Sequence, residues 1–532
     1  MPKIKSETYL ERKKTKMFEK FDLWQGRIAR LLVILMLCAV PIYFNTDRYI
    51  RLTGHKFWFF FTCMCVVLFG VLVVWAARLL LSEPRLLPRD KLFIIDWAVL
   101  GFAVVTLLSA LMSPFKDEVN VWLGIQEPGG RYDGAITQLL YVAVYFIVSR
   151  WYKPRERDFT WFGVSAVLIA LIGIFQFYGM DFFNLWPNHI AQYYRENYYY
   201  IYFRSTLGNI NIVSTYVCIA NLLCGFSYIK IKSRWRYLLL AGSALSFWLM
   251  VLAGSFSGMV GTLAATIMAV PFIVENRRSL GRFFILGASW IAAFTLQTLF
   301  FQALILEART VASLIPFMAA ACILLAAGVI LLLFCKKAPE PDPDGPINWK
   351  PGVILLAAII IVALVGIEVL GRSESTALIY QARQVMHGNI DDTFGSNRIF
   401  IWRNALTAVP QFPVIGSGPD TFYYAFPADM HGFYGEAYDK AHNEYLQILI
   451  CQGILGFLFY LVFLGGLFIK SVPKAFNNPM FAAVLVAFMG YSVQAFFNIN
   501  LPIVSQSLWI FAGMMANKQF REMAVGELRE ES

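Results

Sequence analysis

The chain has 532 residues, of which 58% are hydrophobic and 15% charged, and its mean hydropathy is positive. That composition excludes an ordinary water-soluble domain and puts the chain among integral membrane proteins. The formal net charge of +11 would suit a nucleic-acid binder if it were clustered, but Lys and Arg sit mostly in alternate loops. That pattern orients a membrane protein and carries no information about nucleic acid.

Before the first apolar run stand Lys3, Lys5, Arg12, Lys13, Lys14, Lys16 and Lys20. No convincing small-residue cleavage site follows that run, so residues 1–27 read as a basic cytoplasmic tail rather than a signal peptide. A bilayer core of about 30 Å takes about 20 apolar residues per helix. Successive apolar runs predict spans over 28–44, 57–80, 92–112, 135–149, 160–180, 212–229, 237–253, 259–274, 283–304, 311–334, 353–370, 445–469, 480–497 and 503–516. Short runs such as 135–149 are long enough only for a half-span, so the expected fold is all-α with about 12–14 transmembrane helices.

With the N-terminus inside, every even-numbered connection should be cytoplasmic. These segments hold Arg85, Arg89 and Lys91; Arg150, Lys153, Arg155 and Arg157; and Lys230, Lys232, Arg234 and Arg236. Arg277, Arg278 and Arg282, then Lys336 and Lys337, Lys470 and Lys474, and Lys518 and Arg521 keep the same register, so both termini come out cytoplasmic. The chain then divides into the tail 1–27, eleven helices over 28–370, a large extracytoplasmic loop at 371–441, three helices over 442–516 and a cytoplasmic tail at 517–532. Outer loops 113–134, 181–211 and 371–441 are long enough to carry chemistry. The Pro-rich stretch 338–351 reads as a solvated inner connector. All eight cysteines lie in or beside apolar runs and read as small core hydrophobes.

The most informative stretch starts at His442-Asn443, where the last large outer loop enters a membrane helix, and runs on to Gly453 and Gly456. On one continuous helix, eleven residues make almost three turns, so His442 and Gly453 would share a stripe roughly 16 Å apart along the axis. Gly456 would lie close to the same stripe. Two glycines below a histidine would form a furrow in which a neighbouring helix or a lipid tail lies against the backbone. A neutral imidazole can take a proton from an attacking hydroxyl. An interfacial histidine capping a glycine packing face reads the same residues more plainly.

The pattern His-Asn, nine residues, Gly-x-x-Gly, after the largest outer loop, resembles the signature of the O-antigen ligase and polymerase superfamily. Arg398 and Trp402 followed by Gly416-Ser417-Gly418 are similar to that family's Arg, Trp and Gly-x-Gly run ahead of its histidine. Arg204 with Gly208-Asn209-Ile210-Asn211 resembles its Arg and Gly-Asn-x-Asn segment, and Gly130-Arg131-Tyr132-Asp133-Gly134 a further Arg-containing turn. The resemblance runs in consistent order from about Gly130 to Gly456.

What the resemblance implies is a membrane glycosyltransferase of GT-C-like build. It would move a glycan from an undecaprenyl-diphosphate carrier to an acceptor hydroxyl outside the cytoplasmic membrane, without cofactor or metal and with inversion at the anomeric carbon. His442 would be the base. Arg398, and after it Arg204 and Arg131, would hold the diphosphate, since guanidinium forks bind such oxygens bidentately. Each arginine could equally be an interfacial anchor or a loop salt bridge. Asn443, Trp402, Gly416, Gly418, Asn209, Asn211, Gly453 and Gly456 are the expected substrate-binding positions. Partners would be the lipid-linked donor, a polysaccharide, lipid or protein acceptor, and membrane lipid.

There is one departure. Relatives often place Arg in a Ser-Arg-Gly turn where this chain has Gly254-Ser255-Phe256-Ser257-Gly258, so another cation must substitute if that contact matters. Metal-ligand spacing is not found: His189, His387 and His431 are scattered singly in outer loops. Asp391, Asp392, Asp420, Asp429 and Asp439 read as solvated loop carboxylates, with orientation of His442 or sugar binding as the alternative. The aromatic run from Tyr193 to Phe203, with Trp186, suits a sugar-stacking platform or an interfacial belt equally. Asp96 and Glu368, near the ends of their spans, read as interfacial. The rival class is a multi-pass transporter or lipid-linked sugar flippase, which predicts matching halves and ionisable groups at mid-bilayer. Here those groups crowd the outer loops.

Overall fold

In a computed structural model the chain forms a bundle of membrane-length helices. The structure describes residues 9–45, 49, 51–80, 93–126, 130–185, 205–231, 233–274, 276–304, 314–335, 350–372, 377–435, 437–476 and 478–522. Arg204, Trp186, His189, the aromatic run Tyr193 to Phe203 and most of the Pro-rich connector lie outside them.

Helix α1 spans Tyr9–Ile34 and continues through a π-helical turn, Leu35–Ala39, into Val40–Ile42. Its last carbonyls have no helical donors, and Lys56 supplies one: its buried Nζ donates to Val40 O at 2.7 Å and Pro41 O at 2.9 Å. The bundle continues with α2 (Leu52–Leu80), α3 (Ile94–Met112), α4 (Ala135–Trp151), α5 (Glu156–Phe177), α6 (Ile210–Lys230), α7 (Arg236–Ala253), α8 (Phe256–Ile273), α9 (Arg277–Leu304), α10 (Ile315–Cys335) and α11 (Lys350–Leu370). Two shorter helices, α12 (Ala377–Met386) and α13 (Phe394–Leu406), lie in the large loop. Then come α14 (Glu444–Cys451), α15 (Gly453–Ala475), α16 (Pro479–Gln494) and α17 (Gln506–Ala516). Among the described residues, eleven helices are long and apolar enough to cross a membrane, and Ala135–Trp151 and Phe256–Pro271 are shorter apolar helices. The protein is therefore an all-α integral membrane protein.

Helix α6 is the axis. It is apolar on all faces and buried along its whole membrane-length window, as expected of a span with protein on every side. Helices α5, α7, α8, α9 and α16 pack around it. By contrast α10 and α11 expose almost all of their apolar surface and border the bundle as lipid-facing elements.

The two ends differ in chemistry. At one end, ion pairs tie helix termini together: Arg150 Nη2 meets Asp96 Oδ2 at 2.7 Å and Arg30 Nε meets Asp158 Oδ1 at 2.6 Å. Tyr145 and Tyr152 donate to the same carboxylates at 2.8 and 2.9 Å. Asp96 is thus a paired structural acid rather than a lone interfacial one. The described residues of segments 113–134, 394–443 and 497–505 meet at the opposite end, where Lys440 pairs with Asp133 and Asp420 and Arg398 Nε donates to Phe497 O.

The helix expected over 445–469 is not continuous. Gln452 leaves helical geometry (φ −116°, ψ 3°) and Gly453 adopts φ +69°, so the chain breaks between α14 and α15. His442 and Gly453 therefore do not share a helical stripe. The furrow is filled as well: a Cβ on Gly453 would run into the backbone of Val414 and Gly416. The glycine serves close approach of loop and helix, not of a lipid tail.

Candidate active site

The loop that carries the Gly-x-Gly run is laced onto the α14–α15 break by backbone hydrogen bonds. Ser417 N donates to Ile450 O at 2.9 Å, Gly418 N to Cys451 O at 3.0 Å, Ile454 N to Pro413 O at 2.9 Å and Leu455 N to Val414 O at 3.1 Å. Breaking the helix frees these carbonyls and amides, and the loop supplies their partners. Ser109 Oγ adds a bond to Cys451 O at 2.7 Å and Ser113 Oγ one to Ser417 O at 2.6 Å, so α3 joins the same lattice. Gly416 (φ +78°) packs directly on the Cys451–Gln452 backbone, and Gly418 (φ +120°) lies against Ser113.

His442 stands at the lip of this lattice. Its own backbone is left-handed, φ +49°, a conformation that costs an L-residue about 1–2 kcal/mol and persists only where neighbours over-determine it. Those neighbours are visible. Trp402 Nε1 donates to Ala441 O at 3.0 Å, Ala441 N donates to Gln447 Oε1 at 2.9 Å, and Asn443 Oδ1 caps α14 by accepting from Leu446 N at 3.1 Å. Glu444, fully buried, accepts from Tyr460 OH at 2.6 Å and Tyr491 OH at 3.0 Å, fixing α14 to α15 and α16. The ring's buried Nδ1 has no hydrogen-bond partner among the described residues.

The electrostatics around that ring follow from burial and two arginines. Burial, then the positive charge of Arg398, pushes the imidazole down to about 4, and Arg131 acts in the same direction while Asp439 opposes them. The ring is therefore neutral near pH 7. Asp439 pairs with Arg131 at 2.5 Å. Burial would raise Asp439, and Arg131 more than reverses it, holding the carboxyl below its ordinary range. Arg398 lies at the start of the regular part of α13, after left-handed Gly395, Ser396 and Asn397. Its Nε donates to Phe497 O at 3.1 Å and its Nη1 to Gly395 O. Arg403, five residues on, turns away to Asp392.

The Asn209–Asn211 segment arrives from another side. Asn209 caps α6, accepting from Asn211 N at 2.8 Å. Asn211 accepts from Ser255 Oγ at 3.3 Å through its side chain, and from Asn498 Nδ2 at 2.9 Å through its carbonyl. Asn498 Nδ2, next to the Phe497 carbonyl held by Arg398, also lies within hydrogen-bond distance of Thr215 Oγ1, Ser257 Oγ and Gln494 Oε1, at 2.9, 3.0 and 3.0 Å, and its two hydrogens are shared among these acceptors. The turn that lacks an arginine, residues 254–258, is thereby part of the same buried polar cluster. Gly456 faces Gln452 and Val105 and joins none of it.

Sequence reasoning missed a buried cluster of three charges. Lys440 Nζ lies 2.7 Å from Asp133 Oδ2 and 2.8 Å from Asp420 Oδ1, with all three side chains at most 3% exposed. Asp420 is thus no solvated loop acid, and Asp439, paired with Arg131, is not free either. The signal lay in Asp439 and Lys440, just ahead of Ala441 and His442, and an Asp inside the Gly-Arg-Tyr-Asp-Gly turn, but spacing alone gives no distance between residues 307 positions apart.

Among the described residues, the loop-rich end of this multi-pass helical bundle brings Arg131 and Arg398 into electrostatic reach of the unpartnered Nδ1 of His442. The family described as O-antigen ligase matches residues 312–461, and this match supports placing the chain in the O-antigen ligase and polymerase superfamily. The matched segment contains Arg398, Trp402, Gly416, Gly418, His442, Asn443, Gly453 and Gly456; Arg131, Arg204, Asn209 and Asn211 lie before it. A search of curated proteins finds no match.

Proposed function

We propose that this protein is a polysaccharide ligase or polymerase that transfers a glycan from an undecaprenyl-diphosphate carrier to an acceptor hydroxyl at the extracytoplasmic face of the cytoplasmic membrane. The observation that carries this reading is the buried His442 ring, whose Nδ1 has no hydrogen-bond partner among the described residues, within the electrostatic reach of Arg398 and Arg131. His442 takes the proton of the acceptor hydroxyl as its oxygen bonds to the anomeric carbon, and the bond from that carbon to the carrier diphosphate breaks with inversion. Arg398 and Arg131, with Arg204, balance the charge that develops on the departing diphosphate. The basic helix ends at the far side of the bundle support a cytoplasmic location for both termini.

The unloaded ring is a weak base because it is buried and because Arg398 and Arg131 add positive charge. A diphosphate bound to those arginines cancels their field and raises the basicity of the imidazole, so the base strengthens only when the donor is in place. The test is transfer of radiolabelled lipid-linked glycan in proteoliposomes. Wild type should transfer and His442→Ala should not, whereas a flippase or carrier would tolerate that change.

A further inference from the structure

The segment that ends at His442 meets the loop that carries Arg131 and the Gly-x-Gly loop, and one buried group joins all three. Lys440, two residues before His442, bridges Asp133 of the 113–134 loop and Asp420 of the Gly-x-Gly loop. Each carboxylate is held a second time: Asp133 Oδ1 accepts from Gln138 Nε2 at 2.6 Å, and Asp420 Oδ2 accepts from Ile125 N at 2.7 Å. Lys440, Asp133 and Asp420 are also bracketed by strained backbone. Tyr132 (φ +53°), Asp420 (φ +59°) and His442 (φ +49°) are three of the seven non-glycine residues with left-handed backbone among the described residues. Strain at three points of one cluster needs a strong constraint, and a desolvated ammonium between two carboxylates is one.

We propose that Lys440, Asp133 and Asp420 form a positioning lock that holds the Asp439–Asn443 segment, and with it the His442 ring, in the geometry the transfer requires. This rests on the glycan-transfer reading above. Lys440 touches no substrate. It acts through the backbone it pins: with the ammonium removed, two carboxylates repel across a dry gap, the loops part and residue 442 relaxes from its left-handed conformation. Burial alone would lower Lys440, but the two carboxylates overcome it and hold the ammonium charged, while burial pushes the Asp133 carboxyl up.

The experiment uses the full chain in proteoliposomes, with Lys440→Met, Asp420→Asn and Asp133→Asn, and His442→Ala in parallel. Lys440→Met should lower kcat at least 100-fold and move the KM for lipid-linked donor less than threefold. Asp133→Asn, whose amide keeps only one of the carboxylate's two acceptor oxygens and none of its charge, should change kcat and His442 reactivity in the same direction as Asp420→Asn. A readout independent of activity is carbethoxylation of His442 by diethyl pyrocarbonate, followed by peptide mass spectrometry with His387 as internal control. The rate at His442 should rise at least fivefold in Lys440→Met and in Asp420→Asn, with His387 unchanged. If Lys440→Met does not fold, Asp420→Asn decides by the same two measurements. Unchanged His442 reactivity, a loss expressed in donor KM, or wild-type kcat in Lys440→Met overturns the lock. If His442→Ala is dead and Lys440→Met normal, the lock falls and the transfer reading stands; a wild type that transfers nothing overturns both.

Discussion

Substituting Gly453 by alanine tests whether the α14–α15 break is an architectural joint. Its φ of +69° costs an L-residue about 1–2 kcal/mol. The added methyl would meet Val414 C and O and Gly416 N, all backbone atoms that cannot rotate away, and forced overpacking costs about 1–3 kcal/mol. The sum, about 2–5 kcal/mol, is aggravated because the same displacement strains the bonds from Ile454 N and Leu455 N to the loop, 2.9 and 3.1 Å long. Gly465→Ala in the same helix is the control, since nothing lies within 4 Å of its added Cβ and alanine is the better helix former by about 1 kcal/mol. Thermal unfolding in detergent should show Gly453→Ala melting well below wild type and Gly465→Ala at or above it. Equal midpoints, with a raised KM for the lipid donor in Gly453→Ala, would refute the joint and restore the lipid furrow.

Other outcomes follow from the same geometry. Arg398→Gln should lower transfer about 10²- to 10³-fold, the usual cost of removing one donor to a developing oxyanion, with folded protein recovered normally. Because His442 sits at about 4 in the unloaded site, wild-type kcat/KM should be flat above about pH 5 and fall only as the ring gains a proton near pH 4. The acid limb of kcat should lie at higher pH, since bound diphosphate offsets the arginines. In Arg398→Gln the limb of kcat/KM should likewise move up toward the ordinary histidine range, as a lowering charge is gone; an unmoved limb would show that Arg398 does not act on the ring. Asn443→Ala should lose a helix cap worth about 1 kcal/mol, with Asn443→Ser retaining most of it, read as melting midpoints.

Much of the fold was legible because a bilayer imposes it. Spans such as 92–112 and 353–370 are runs of the required length, and α3 and α11 follow them closely. The break inside 445–469 was not legible, because a single Gln-Gly pair in an apolar run fits a continuous span as well as a broken one, and the backbone dihedrals reveal it. Asn209 and Asn443, expected to bind substrate, carry helix caps, and Gly416 and Gly453 carry close backbone contacts, so architecture constrains these motif residues before ligand enters the account. The lock around Lys440 escaped for the opposite reason. Charges in an outer loop look solvated in sequence, and only the meeting of distant loops turns Asp133, Asp420 and Lys440 into a dry network.

The central claim is that one imidazole at the loop-rich end of the bundle drives glycan transfer. It is tested most directly by reconstituting wild type and His442→Ala at matched folded amounts and following radiolabel from lipid-linked donor to acceptor. The account predicts turnover by wild type and a fall of at least 100-fold in the variant, with donor binding retained through the arginines. Transfer by His442→Ala at the wild-type rate would contradict it.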